Sequence, residues 1–305
     1  MKLDPEAFKF GGAQKFPLRY SWIPKAARAV QQDVRAFDLD SATMDLGVGS
    51  AMVKSMKYWM FAAGLLNKDT GKLSDLGRFL FGNGGADPYL EDEGTLWLIH
   101  WMLTKNAVEA TALFWFFNLM HQTEFTSEEL TTNLSDFVTQ NLRKRQVARG
   151  TIDADIAVIL RMYSSTISDQ RAPIEDTLDS PLCTLDLLQK SHVDKRYFMR
   201  FRERASLPNQ ILGYAVLDLM VSRGSQIVPL DDLMYSKDLS ASPGASFRLT
   251  ENELIRKLEE LSWEYKEFLE FRESNGLNQL FLKAPIFPEK FISDYYGNSY
   301  MDAVA

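Results

Sequence analysis

Two neighbouring stretches, Thr95 to Leu103 and Ala107 to Met120, are apolar on nearly every side of a helical wheel. Leu96, Trp97, Leu98, Ile99, Trp101 and Met102 fill the first, and Leu113, Phe114, Trp115, Phe116 and Phe117 the second. A helix without a polar face has to be enclosed by other elements. The chain therefore needs a helical interior with further layers around it, and at 305 residues it is long enough to build one without a disulfide or metal staple. Thr126-Ser-Glu-Glu129 is a capping box that opens another helix, and Ile152 to Met162 continues with amphipathic spacing. This middle region reads as an α-helical bundle.

Turn signals divide the rest. Gly82-Asn-Gly-Gly-Ala-Asp-Pro88 cannot continue a helix, and Ser164 to Pro173 is a second break. The expected units are residues 1–85, 86–165 and 166–305. After Pro173, Pro208 to Val221 reads as a helix and Gln226 to Leu230 as an extended piece before a short helix. Ser246 to Leu249 reads as a strand, Thr250-Glu-Asn-Glu253 as a capping box, Leu254 to Trp263 as a helix, and Leu277 to Leu282 as a last strand. The expected fold class is mainly α with small β hairpins: an N-terminal winged helix-turn-helix, a central helical bundle, and a C-terminal winged-helix-like α+β unit. A generic α+β pack fits the last unit nearly as well.

Composition removes several functions. One cysteine, Cys183, excludes an internal disulfide and a cysteine-rich zinc site, and His100, His121 and His192 show no ligand spacing. The longest apolar run, Trp59 to Leu66, is far below the roughly 20 residues that span a bilayer. The opening residues lack a signal-peptide core. The expectation is a soluble, cytoplasmic protein with no membrane partner. Net charge is −7, but residues 1–85 carry +4 and the remainder −11. A basic front end on an acidic body suggests one anion-facing surface, although ordinary scatter of charge accounts for it equally well.

Residues 40–82 bear most on function. Asp45-Leu-Gly-Val-Gly49 is a tight turn, with Ser50 as expected N-cap. In the helix that follows, Met52, Val53, Met56, Trp59, Met60 and Ala63 share one face, opposite Ser50, Lys54, Lys57 and Tyr58. Asn67-Lys-Asp-Thr-Gly71 turns the chain back through Lys72, and Ser74 caps a short closing helix. Helix, glycine turn, amphipathic helix and hairpin is the layout of a winged helix-turn-helix, whose second helix enters the major groove of duplex DNA. Lys54, Lys57 and Tyr58 would face the DNA, with Lys68 and Lys72 on the wing for phosphates. A solvated lysine face on a core helix, or a winged unit used for protein contacts, fits the same pattern. Upstream, Arg19 and Lys25 flank Tyr20 and Trp22; a guanidinium binds phosphate and aromatics stack on bases. The aromatics fit equally well as an arm packed on the first helix, Ala26 to Ala36.

Candidates for chemistry are few. Phosphodiester cleavage commonly uses a divalent ion, magnesium or manganese, held by carboxylates. Asp87, Glu91, Asp92 and Glu93 form the densest cluster; Asp87 and Glu91 would share a face if the stretch were helical. The plainer reading is an acidic turn feeding the next helix N-terminus. His100 lies in an apolar helix, where a core role competes with catalysis. Arg143-Lys-Arg145 with Arg149, and Arg196, Arg200, Arg202 and Arg204, are basic stripes that read as solvated faces before nucleic-acid tracks. Cys183 reads as buried packing.

The segments Gly11-Gly-Ala-Gln-Lys-Phe-Pro-Leu-Arg-Tyr-Ser-Trp-Ile-Pro-Lys-Ala26, Leu46 to Trp59, and Asp87-Pro-Tyr-Leu-Glu-Asp92 through Trp101 resemble an uncharacterised-domain family. Its known members are SspB-type proteins of single-stranded DNA phosphorothioation systems. Glu175 to Leu182 and Ser242-Pro-Gly-Ala-Ser-Phe-Arg-Leu249 resemble it as well. The resemblance implies a DNA-nicking endonuclease in antiphage defence, working with a cysteine desulfurase, an ATP pyrophosphatase and an ATPase that place sulfur on the backbone. A non-catalytic DNA-recognition subunit and a winged-helix regulator are the alternatives. Two positions depart from the family pattern. Members usually have His where this chain has Ala13, and commonly Lys-Asn where it has Ser50-Ala51. If that His acts in chemistry, this chain lacks it.

Overall fold

The computed structural model describes residues 2–143, 146–164, 180–191, 193–235, 237–274 and 276–300. Lys144 and Arg145 of the first basic stripe, His192, most of the Ser164 to Pro173 break, and residues 175–179 of the fourth family-like segment lie outside them. Among the described residues the protein is mainly helical, with thirteen α-helices and two small three-stranded antiparallel sheets.

The front end builds α1 (Trp22–Gln32), α2 (Ala42–Asp45), α3 (Ser50–Ala62) and α4 (Asp75–Phe81). Between α3 and α4 the chain folds back through a single antiparallel bridge, Leu66 to Leu73. Ser74 caps α4 as expected, its hydroxyl accepting from the Gly77 amide at 3.0 Å. Ser50 is not a cap. Gly49, in extended conformation, holds that position and Ser50 is the first helical residue.

Central helix α5 (Glu93–Lys105) is enclosed almost all round, as its composition requires. The second apolar stretch is short α6 (Thr111–Phe114) running into a π-helical turn, Trp115–Leu119. Buried Asn118 lies within the turn. Its amide donates to Thr104 O (2.9 Å) and Phe114 O (3.0 Å), and its Oδ1 accepts from Ser242 N (2.8 Å) and Ser246 Oγ (3.1 Å). One side chain thus ties three segments together with every polar atom satisfied. The capping box at Thr126 opens α7 (Ser127–Asn141), which packs on α8 (Arg149–Tyr163). Strands β1 (Glu124–Phe125), β2 (Gln189–Lys190) and β3 (Tyr197–Phe198) form the first sheet, in the order β1-β3-β2.

The C-terminal region runs α9 (Asn209–Arg223), β4 (Ile227–Pro229), α10 (Leu230–Met234), α11 (Pro243–Phe247), α12 (Glu251–Glu264), β5 (Leu269–Ser274), β6 (Leu277–Leu282) and α13 (Pro288–Tyr296). The sheet order is β4-β6-β5, with Val228 and Phe271 both opposite Leu280. The strand expected at Ser246 to Leu249 is instead the end of α11, closed by Arg248 in the left-handed region at φ 53°. Pro243 starts that turn, and Gly244 lies so close to Leu233 and Met234 that a Cβ would meet Leu233 O at 2.8 Å. Strand β5 and helix α13 were not expected. Buried apolar residues from Leu3 to Ile292 form one cluster. The last helix closes it, Tyr295 donating to Asp92 Oδ1 at 2.8 Å beside a 2.6 Å bond between Tyr296 and Thr95.

Candidate nucleic-acid interface

Helix α3 presents Val53, Met56, Trp59 and Met60 to the core and Ser50 and Lys54 to solvent. Lys54 has no ion pair or hydrogen bond among the described residues. Lys25 is exposed, and its ammonium donates to Leu46 O (3.1 Å) in the loop that leads into α3. Lys25, Lys54 and Ser50 therefore gather around the start of α3, where Gly49 faces open space. The first backbone N–H groups of a helix and its dipole favour an anion there. Lys72 is exposed on the hairpin.

Three other sequence candidates are already engaged. Lys57 is bound to both oxygens of Asp38, at 2.7 and 2.9 Å. Lys68 and Lys9 converge on Glu109, at 2.7 and 2.8 Å, and these cations hold the Glu109 carboxyl below its usual range against the opposing effect of burial. Tyr58, expected on the outer face, turns inward. Its hydroxyl donates to Glu109 O (3.0 Å), its ring meets Trp59 edge-on, and burial raises its phenol pKa. The reason is the N-terminal arm, which crosses this face of α3. A Cβ on Gly12 would lie 2.3 Å from the Tyr58 ring, and Phe16 O accepts from Trp59 Nε1 (3.1 Å) and Ser55 Oγ (3.3 Å). Arg19 stacks over Trp22 at 5.7 Å and is half-buried, while Tyr20 sits exposed at the turn.

The arm is pinned from its other side by α8. Asp155 accepts from the Gly11 amide at 2.8 Å, and Arg161 donates to Lys15 O. Burial raises the Asp155 pKa to about 6, opposed by the Gly11 bond. Ala13 is buried in this seam, and Gln14 and Lys15 after it have positive φ, 48° and 70°. Two consecutive non-glycine residues in that region mark a conformation that the surrounding contacts impose.

The carboxylate cluster is not assembled as a metal centre. Residues 87–91 are not helical; buried Asp87 folds the loop by accepting from Glu91 N (2.9 Å) and Asp92 N (3.1 Å). Asp92 caps α5 by accepting from Thr95 N (3.2 Å), and it also holds Tyr295. Glu91 and Glu93 are exposed. Asp87 and Asp92 are thus committed to amides and a phenol, and the four carboxylates do not gather into one ligand set. Among the described residues no three His, Cys, Asp or Glu side chains converge as a metal site.

His100 lies fully buried, 2.8 Å from both the Tyr163 hydroxyl and Ser246 O. A carbonyl can only accept, so Nε2 carries the proton and Nδ1 accepts from Tyr163. Burial, reinforced by Arg204 and Arg248, lowers its pKa to about 3 against the Ser246 bond. At neutral pH it is uncharged and enclosed in the core, which favours the core role over catalysis. The second basic stripe is broken up: Arg196 pairs with Glu124, Arg202 with Asp186, and Arg204 is buried. Cys183 is half-exposed rather than buried, its thiol set against the carbonyls of Met162 and Ser164. Asp155, Asp38 and Arg248 carry little signal in the sequence, whereas Glu109 stands out as a lone acid in an apolar run. Fully buried Arg248 donates to Phe116 O (3.0 Å) and Met120 O (3.2 Å).

These features define a mainly helical protein with a lysine-bearing front end and a closed apolar centre. The chain belongs to the family described as protein of unknown function DUF4007, whose model matches residues 10–296. Its structure is similar to that of SspB: one crystal structure is 28% identical with a TM-score of 0.84, and the match covers 98% of this chain and 94% of that one. A magnesium ion-bound SspB crystal structure matches at 28% identity with a TM-score of 0.85 and the same coverage. No curated protein matches. No helix among the described residues is long and apolar enough to cross a membrane.

Proposed function

We propose that this protein is the DNA-engaging component of a system that places sulfur on the DNA backbone, and that it docks on duplex DNA through the start of α3. The observation that carries this reading is the group formed by Lys25, Lys54 and the open N-terminus of α3. The order of α1, α2, α3 and the Leu66–Leu73 hairpin supports a winged helix-turn-helix, in which α3 takes the recognition position. The likeness to SspB and membership of its family support the place in phosphorothioation, beside a cysteine desulfurase, an ATP pyrophosphatase and an ATPase. Residues 1–85, 86–165 and 166–305 remain the proposed units.

Strand nicking is the activity that the resemblance implies for such a protein. A second reading, recognition without cleavage, is favoured by the commitment of Asp87 and Asp92 to structural hydrogen bonds and by Ala13. Supercoiled plasmid incubated with the protein and magnesium or manganese separates the two, run beside Ala13→His. Conversion to open circles supports nicking; retardation without conversion supports recognition alone. In either case Lys54→Ala weakens duplex binding several-fold and reduces the slope of log affinity against log salt by about 1. Lys57→Ala has the smaller effect, because Asp38 already neutralises that ammonium. An unchanged salt slope in Lys54→Ala removes α3 from the interface.

A further inference from the structure

The geometry points to a docking cleft on α12 for an arginine-bearing basic segment of another protein. Five of the six tryptophans are buried, whereas Trp263 is 81% exposed. It stands on the outer face of α12, whose inner face packs Leu254, Leu258 and Leu261 into the core. Tryptophan is among the residues enriched at the hot spots of binding surfaces. Around it, Asn209, Glu259, Glu260 and Glu264 complete a cleft of 440 Å³. Its floor is built: Asn209 donates to Glu260 (2.7 Å), Gln210 to Glu264 (2.9 Å), and buried Lys257 fixes Asn209 at 3.1 Å and Leu207 O at 2.8 Å.

Charge identifies the occupant. Helix α12 holds five glutamates against Arg256 and Lys257. Lys257 is buried and Arg256 pairs with Glu253 and Glu260, which leaves Glu259 and Glu264 as the cleft's carboxylates with no ion pair among the described residues. Glu259 has no partner among the described residues. Such a surface repels a phosphate backbone and attracts a cation. A guanidinium fits best, since it can stack on the Trp263 ring while its fork meets the flanking carboxylates. The inference goes beyond the reading given above and does not depend on it, because α3 and α12 carry separate residues.

The test uses the full chain and a fluorescein-labelled dodecapeptide, (Arg-Gly-Ser)4, followed by fluorescence anisotropy at 0.15 M salt. Saturable binding is expected, weakened tenfold or more by Trp263→Ala and several-fold by Glu259→Gln, and unchanged by Lys54→Ala. The lysine version of the peptide is expected to bind several-fold more weakly. Equal binding by Trp263→Ala, or no saturable binding, overturns the proposal. So does a self-association seen by sedimentation that Trp263→Ala abolishes, which would make a second copy the occupant. Because Trp263 lies in solvent, the variant keeps the wild-type circular dichroism spectrum and melting temperature.

Discussion

Replacing His100 by alanine lowers the melting temperature by about 5–8 °C, from a loss of about 3–5 kcal/mol in a chain of this size. Two costs add. The ring sits among Trp97, Phe117, Tyr163 and Phe247, and its removal leaves a cavity. The Tyr163 hydroxyl and Ser246 carbonyl then lose their partner in a region water does not reach. Differential scanning calorimetry of the two proteins measures the effect. A His100→Ala protein that melts like wild type while losing an otherwise demonstrable nicking activity would sink the core assignment and restore His100 as a chemical group.

The second large effect concerns pH. Asp155 has a folded pKa of about 6 against an ordinary value of 3.8, with burial as the cause. An acid whose folded pKa is raised holds its proton more tightly in the fold. Its contribution to stability is therefore full below about pH 4 and is lost as pH rises through about 6. The two-unit difference corresponds to an upper value of about 3 kcal/mol at pH 7.5. Asp155→Asn keeps an oxygen for the Gly11 amide and has nothing to ionise. It is expected to melt several degrees above wild type at pH 7.5 and within a degree or so of it at pH 4. Thermal melts of both proteins across that range check the sign; parallel profiles would show that Asp155 is solvated in the fold.

Much of the helical scaffold was legible because its signals are local. The apolar runs of α5 and α6, the capping box at Thr126 and the caps at Ser74 and Thr250 each depend on residues a few positions apart. The turn, helix and hairpin from residue 45 to 73 were legible for the same reason. The candidate face was legible only in part. A helical wheel places Tyr58 opposite the core, but cannot know that residues 8–16 cross that side of α3. The partners that neutralise Lys57 and Lys68, Asp38 and Glu109, lie 19 and 41 residues away. Arg248 defeated the strand expectation by closing a helix that Pro243 had begun, a left-handed position that no alternation pattern reports. Strand β5 alternates poorly in burial, and its charged residues concealed it.

The arm laid across α3 has a mechanical consequence. Tyr58, Lys9 and Lys68 all end on Glu109, and Asp155 and Arg161 grip the same arm from α8. Helix α3 is thus fastened to the arm, and the arm in turn to α8. If α3 docks as proposed, it would do so together with the arm and the loop that hold it, and not as an element that swings by itself.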